Sequence, residues 1–212
     1  MDLFSMDAPW VQKLGLLFDL MVLSLLTVLL CLPVVTAGAA ITALYDGVWR
    51  LKHNRGSLLK DYWRTFRSNF LQSTAIWLIL LLTAFLLGYN VLLFFGGQEG
   101  MGLMVIPMVL GAAVWIILSA WVFILQSRFH NTVGQTLINA LLCGLKYLPR
   151  TLGIVALNML PLAVLFLEPE RTWGAGLLLV FFWLGLSAYW NICLLDVPLL
   201  ILGGPENEEK LS

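Results

Sequence analysis

The sequence predicts an all-α fold, a polytopic bundle of membrane helices, and three observations lead to this class. Of the 212 residues, 60% are hydrophobic and only 11% are charged, whereas a soluble domain carries about 25% charged residues. The mean hydropathy is +0.92. The apolar residues are gathered in runs of roughly 20, the length that a helix needs to cross the hydrocarbon core of a bilayer.

Charge balance excludes other classes of protein. The 12 basic and 12 acidic side chains leave no net charge, so the chain is not a strongly basic nucleic-acid-binding protein. The high apolar content excludes a disordered chain. We therefore expect the lipid bilayer as the surroundings of the protein, no nucleic-acid partner, and a single integral membrane domain over residues 1–212.

Five long apolar runs predict transmembrane helices. Asp19 interrupts the first run, and a glycine-rich stretch at 96–102 separates the second from the third, which is typical of a tight helical hairpin. The fifth run ends at Asp196. The five runs cover about residues 14–32, 70–95, 103–125, 152–167 and 173–195.

A sixth segment, 34–49, is shorter. Its 16 residues rise only about 24 Å, so the segment either crosses the bilayer or forms a re-entrant element. Ala39, Ala43 and Gly47 line one face at a spacing of four. Such a face lets another helix approach closely, either within the chain or in a second copy.

The break before this segment has its own chemistry. Pro33 ends the first helix and frees a carbonyl group, Thr36 can hydrogen-bond the backbone, and Gly38 lets the chain turn. Non-helical backbone at membrane depth needs protein or water around it. We favour a tight outer turn between two helices over the tip of a re-entrant element.

Two basic segments predict the orientation in a cell membrane. Nine of the 12 basic residues fall in the amphipathic elbows 50–69 and 128–150, and the positive-inside rule places such loops in the cytoplasm. The C-terminus falls on the same side. The N-terminus is inside if 34–49 crosses and outside if it does not. Tryptophans near helix ends, Trp121 among them, are expected to anchor the interface.

The first elbow is a candidate contact surface. Its aromatic side chains fall at helical spacing on one face, with cations on the rest of the helix. Such a helix suits either anionic lipid headgroups or a cytoplasmic partner, although it can also serve only to fix the next helix. The candidate contact residues are Trp63, Arg64, Phe66 and Arg67.

Ionisable groups inside or at the edge of the spans are costly and are therefore functional candidates. Asp19, Asp46 and Asp196 belong to this class. They either form a relay for protons or substrate, or pair with arginines and fix helix ends. The candidate partners are Arg50, Arg128 and Arg150.

Nothing in the sequence is typical of a catalytic centre. Cys31, Cys143 and Cys193 are dispersed, with no CxxC spacing, so they make poor material for a disulfide framework or a zinc site. A phosphate-binding glycine loop and a nucleophile elbow are absent. We expect no enzymatic activity, no cofactor and no metal, and the oligomeric state is left open.

Several motifs resemble the YesL family of bacterial integral membrane proteins. They are 31–39 (CLPVVTAGA), 42–45 (TALY) and 66–74 (FRSNFLQST), with the Leu-Pro-x-x-Thr-x-Gly run as the most diagnostic piece. One departure is Ser24, where the family often has Asn. The family is classed as a domain of unknown function.

The resemblance implies a role in carbohydrate uptake. Genes of this family often lie beside those of sugar-importing ABC transporters and of enzymes that degrade polysaccharides. This neighbourhood implies a non-enzymatic accessory protein with a sugar ABC permease as its partner. The alternative is a small solute transporter or channel subunit that uses the intramembrane aspartates.

Overall fold

The computed structural model describes residues 9–53, 56–95, 105–129, 131–167, 182–196 and 198–199. Every regular element in these ranges is helical. The elements in chain order are α1 (Pro9–Cys31), a 3-10 turn (Val34–Thr36), α2 (Ala37–Lys52), α3 (Leu58–Phe95), α4 (Val105–Arg128), α5 (Val133–Lys146), α6 (Leu148–Leu167) and α7 (182–196).

Three of these helices are long and apolar enough to cross a membrane. The spans are Lys13–Cys31, Leu58–Phe94 and Val105–Arg128. A fourth results if α5 and Leu148–Pro161 of α6, which are bent by 103° at their junction, count as one broken span. The helices thus define an all-helical membrane protein, as predicted. Five long spans are not found, although the predicted span at 173–195 lies partly outside the described residues.

Helices α1 and α2 form an antiparallel hairpin. Pro33 is extended (φ −76°, ψ 108°), and the Thr36 hydroxyl donates to the carbonyl oxygens of Leu30 and Pro33, which closes the turn. Deeper in the hairpin, Leu23 of α1 packs against Gly47 of α2. The start of α1 therefore lies at the same end of the bundle as the first elbow.

Helix α2 is the centre of the bundle. Ala39 and Ala43 are completely buried, and Gly47 is buried too, so the small-residue face is used within one chain. Gly38 has a different role from the predicted one: it lies in the first turn of α2 and lets α3 come close. A Cβ atom at Gly38 would lie 2.6 Å from the Cβ of Trp77, which no real pair of carbons tolerates.

Helix α3 runs without a break for 38 residues, or about 57 Å. The sequence separates an elbow at 50–69 from a span at 70–95, but helical propensity is continuous across the boundary at Asn69, because α3 contains no proline and its one glycine, Gly88, lies far from this boundary. Trp77 Nε1 donates to Val34 O at 2.7 Å. The tip of the α1–α2 hairpin therefore lies beside the middle of α3.

The second elbow, 128–150, also differs from a simple interfacial helix. A capping box between Thr132 and Gln135 starts α5. Helix α5 then runs back along α4, because Thr136 donates to Gln126 at 3.2 Å while Gly144, in the last turn of α5, packs against Ile117. Apolar residues on both helices drive this contact.

Trp121 is not an interface anchor. Its side chain is completely buried, and its indole Nε1 donates to Thr151 Oγ1 of α6 at 2.8 Å. The Thr151 hydroxyl donates in turn to Gly144 O at 2.9 Å. Trp121 therefore holds the junction of α5 and α6 against α4.

Candidate functional site

Asp46 of α2 is the centre of a buried charged cluster. Its side chain is 3% exposed, and its oxygens accept three hydrogen bonds from three helices. Arg50 Nε donates at 2.8 Å, Thr65 Oγ1 at 2.6 Å and Arg128 Nη1 at 3.1 Å. The carboxylate therefore joins α2, α3 and α4 at one end of the bundle.

The positions of these donors follow from helix geometry. Arg50 is four residues after Asp46 on the same face of α2, and Arg128 belongs to the last turn of α4. The guanidinium carbon of Arg128 lies 3.5 Å from the centre of the Trp49 ring, a cation–π contact that fixes its direction.

A second ion pair lies next to the first. Lys52 Nζ donates to Asp196 Oδ2 at 2.7 Å, which ties the end of α2 to the end of α7. His53 stacks on Trp49 with the ring centres 4.2 Å apart, and its Nε2 lies 3.9 Å from Asp196 Oδ1. Burial opposes the charge of Lys52, but the hydrogen bonds and charges of Asp196 and Cys193 together outweigh it and raise the pKa of Lys52 above its ordinary value.

A layer of amides lies beside the charged cluster. Gln126 is buried and donates to Asn69 Oδ1 at 3.3 Å, while its own carbonyl oxygen accepts from Thr136. This layer joins α3, α4 and α5. It serves the packing of helices, as buried amides commonly do in membrane proteins.

A second amide pair lies between α2, α6 and α7. The side-chain amide of Asn191 donates to the Tyr45 hydroxyl at 3.2 Å and to Asn158 Oδ1 at 3.3 Å. Asn191 is fully buried. The pair therefore holds α7 against the central helix.

Asp19 differs from the other two aspartates. It lines a cavity of about 270 Å³ together with Arg50, Asp61 and other residues of α2 and the start of α3. Within the described chain it forms no ion pair. Asp61, by contrast, pairs with Arg64 at 2.9 Å and accepts from the backbone N–H of Ser57 at 2.7 Å.

Only part of the predicted contact face on α3 is exposed in the structure. Phe66 is 8% exposed and packs in the core with Tyr62 and residues of α1 and α2, so it is not available to a partner. Trp63 is 41% exposed, Arg64 and Arg67 are exposed, and the guanidinium carbon of Arg67 lies 5.0 Å from the Trp63 ring centre. The surface that remains is Trp63, Arg64 and Arg67.

Sequence reasoning missed the hydroxyl groups that complete the buried contacts. Thr65 was not singled out, although it makes the shortest of the three bonds to Asp46. Ser24 accepts from the backbone N–H of Gly185 at 2.8 Å and donates to Leu20 O at 2.7 Å. A polar residue inside an apolar run marks Ser24, whereas Thr65 lies in the amphipathic elbow, where nothing local marks it. In both cases the partner is fixed only by helix packing.

The fold and the charged cluster define the class: an all-helical membrane protein with buried ion pairs at one end. Residues 18–91, which run from α1 to near the end of α3, match the model of a family described as protein of unknown function, DUF624. The match covers about a third of the chain and includes Asp19, Asp46 and the Pro33 turn. No curated protein matches the chain, and no solved structure does.

The described residues offer no cluster of three or more His, Cys, Asp or Glu side chains that could hold a metal ion. The three cysteines are free, with Cys143 buried and Cys31 and Cys193 partly buried.

Proposed function

We propose that this protein is a non-enzymatic accessory protein of the bacterial plasma membrane, of the YesL type, that works beside a sugar-importing ABC permease. The observation that carries the proposal is the exposed surface of Trp63, Arg64 and Arg67. Trp63 is 41% exposed and the side chain of Arg64 61% exposed. Tryptophan and arginine are the residue types most enriched at the centres of protein interfaces.

The resemblance supplies the kind of partner. The motif at 31–39 and the match of residues 18–91 to DUF624 support a YesL-type protein, and the gene neighbourhood of that family supports a link with carbohydrate import. The buried cluster supports a passive role, because Asp46 already accepts from Arg50, Thr65 and Arg128.

The contact surface belongs to the cytoplasmic side in this proposal. Nine basic residues in the two elbows support that orientation through the positive-inside rule. A partner with an acidic, partly apolar surface would complement Trp63 and the two arginines.

A second function rests on Asp19. Its carboxylate lines a cavity of about 270 Å³ and forms no ion pair with another described residue. A carboxylate of this kind suits a small transporter or channel subunit that binds a cation or a proton. We rank this second, because Asp46 and Asp196 are already paired.

Co-purification with the permease of a neighbouring sugar ABC operon tests the first function. The wild type is expected to retain the permease, and the double variant Trp63→Ala/Arg64→Glu is expected to lose most of it. Leu59→Ala is the matched control, because Leu59 is also exposed on α3 but lies outside the surface.

Solute flux in proteoliposomes separates the two functions. The accessory role predicts no flux above that of empty liposomes. Protein-dependent flux that disappears in Asp19→Asn would contradict the accessory role and support the transporter.

A further inference from the structure

The junction of α5 and α6 carries two cations around one aromatic ring. Lys146 Nζ lies 5.4 Å from the centre of the Tyr147 ring, and the guanidinium carbon of Arg150 lies 5.5 Å from it. The chain bends by 103° here, so the end of α5 and the start of α6 present both cations at one corner of the molecule.

No described residue compensates these two charges. Neither Lys146 nor Arg150 forms an ion pair with any carboxylate that the structure describes. Arg150 Nη1 is buried and finds no hydrogen-bond acceptor among the same residues. Arg50 and Arg128, by contrast, share Asp46. An uncompensated pair of cations calls for an anion from outside the chain.

The surroundings of the corner are apolar and exposed. Four leucines of α5 and α6 are between 46% and 65% exposed: Leu142, Leu145, Leu148 and Leu152. In a membrane protein, exposed leucines face acyl chains. Long cationic side chains set among such leucines can extend their charged ends to the lipid headgroups.

A cavity connects this corner to α4. It has a volume of about 380 Å³. Lys146 stands at its edge, Leu125, Phe129 and Leu142 form apolar walls, and two asparagines are the remaining polar groups near the cation. Asn139, Leu142 and Lys146 share one face of α5, because they are three and four residues apart.

We propose that this corner binds an anionic phospholipid. Lys146 and Arg150 hold the phosphate, Asn139 donates to an oxygen of the headgroup, and one acyl chain lies against Leu125, Phe129 and Leu142. The uncompensated charge selects an anionic headgroup, and the apolar walls select a lipid over a free anion. This site is independent of the permease contact proposed above, which uses α3.

Native mass spectrometry of the detergent-solubilised full chain tests the site. The protein is titrated with phosphatidylglycerol and, separately, with phosphatidylcholine. We expect the wild type to retain phosphatidylglycerol and little phosphatidylcholine. Lys146→Gln and Arg150→Gln are each expected to weaken the binding of phosphatidylglycerol about fivefold.

Three control measurements make the test decisive. Lys60→Gln removes an exposed cation of α3 that also forms no ion pair with a described residue and is expected to leave binding unchanged. Lys146→Arg keeps the charge and is expected to keep the affinity. Inorganic phosphate at millimolar concentration is expected not to displace the lipid.

Several results would overturn the proposal. Equal retention of the two lipids would contradict selection of an anionic headgroup. Unchanged lipid binding in Lys146→Gln, or a loss in Lys60→Gln as large as in Lys146→Gln, would show that Lys146 does not hold the phosphate. Displacement of the lipid by inorganic phosphate would indicate a site for a small anion. Lys146 is exposed, so Lys146→Gln keeps the test open even if Arg150→Gln does not fold.

Discussion

Arg128, at the end of α4, donates through Nη1 to Asp46 Oδ1 of α2 at 3.1 Å, across 82 positions of the sequence. Both side chains are buried, with 7% and 3% of their surfaces exposed. The pair joins helices from the two halves of the chain at the end where the basic residues gather. Replacing Asp46 would remove the carboxylate from Arg50 and Arg128 at once, which is why this buried pair matters more than a surface contact.

Gly38 is expected to tolerate a methyl group poorly. Gly38→Ala would press a Cβ atom against Trp77 and the Ser73 backbone, and we expect it to lower the free energy of unfolding in detergent by about 1–3 kcal/mol. Gly88→Ala is the matched control, since nothing lies within 4 Å of a Cβ there. Alanine at Gly88 is expected to be neutral or to stabilise the helix by about 0.5–1 kcal/mol. Equal effects of the two variants would contradict the close approach of α2 and α3.

Substitutions of Phe66 and Trp63 are expected to have different effects, on stability in the first case and on permease binding in the second. Phe66→Ala removes a buried ring and should lower the free energy of unfolding by about 3 kcal/mol. Trp63→Ala removes a side chain that is 41% exposed and should cost less than about 1 kcal/mol while it weakens permease binding. Thermal denaturation monitored by circular dichroism measures the first effect. A larger loss of stability in Trp63→Ala than in Phe66→Ala would contradict the burial of Phe66 and the exposure of Trp63.

The hairpin of α1 and α2 predicts that the start of α1 and the first elbow share one side of the membrane. Single cysteines replace Lys13 and Lys60 in a chain without its native cysteines, and an impermeant maleimide is added to intact cells. We expect both positions to react only after permeabilisation. A cysteine at Gln98, in the loop that the sequence assigns to the outer side, is the positive control. Labelling of position 13 but not of position 60 in intact cells would refute the hairpin topology.

The ion pair of Lys52 and Asp196 predicts a defined response to pH. The pKa of Lys52 is raised in the folded state, so its contribution to stability is complete below the unfolded value of about 10.4 and is lost as the pH rises through the folded pKa. The melting temperatures of wild type and Lys52→Gln should therefore differ by a constant amount from about pH 8 to about 10 and converge above that range. A difference that grows with pH would have the wrong sign.

The sequence predicts the helical membrane class of the protein and part of the charged cluster around Asp46. Apolar runs of about 20 residues define the long helices because length and hydropathy are local properties. Pairing of Asp46 with Arg50 follows from a spacing of four on one helix. Arg128 is a plausible partner because it lies in the other basic elbow, but its choice of Asp46 depends on how α2 and α4 pack.

The parts that could not be predicted depend on tertiary contacts. The fold-back of α5 along α4 needs the close contact of Gly144 with Ile117, and nothing local marks it. The inward direction of Phe66 has the same origin, because an apolar face of an amphipathic helix fits a lipid surface as well as a protein core. Thr65 reaches Asp46 because the start of α3 packs against α2.

A double-mutant cycle on Asp46 and Arg128 tests most directly whether the buried cluster is structural. Asp46→Asn is expected to lower the free energy of unfolding in detergent by about 3 kcal/mol, and Arg128→Gln by about 2 kcal/mol, because Asp46 still pairs with Arg50. The double variant should lose little more than Asp46→Asn alone, which gives a coupling of about 2 kcal/mol. The same cycle on Asp61 and Arg64, whose arginine is 61% exposed, should give less than about 1 kcal/mol. Additive losses at Asp46 and Arg128, together with solute flux that Asp46→Asn abolishes, would contradict the account.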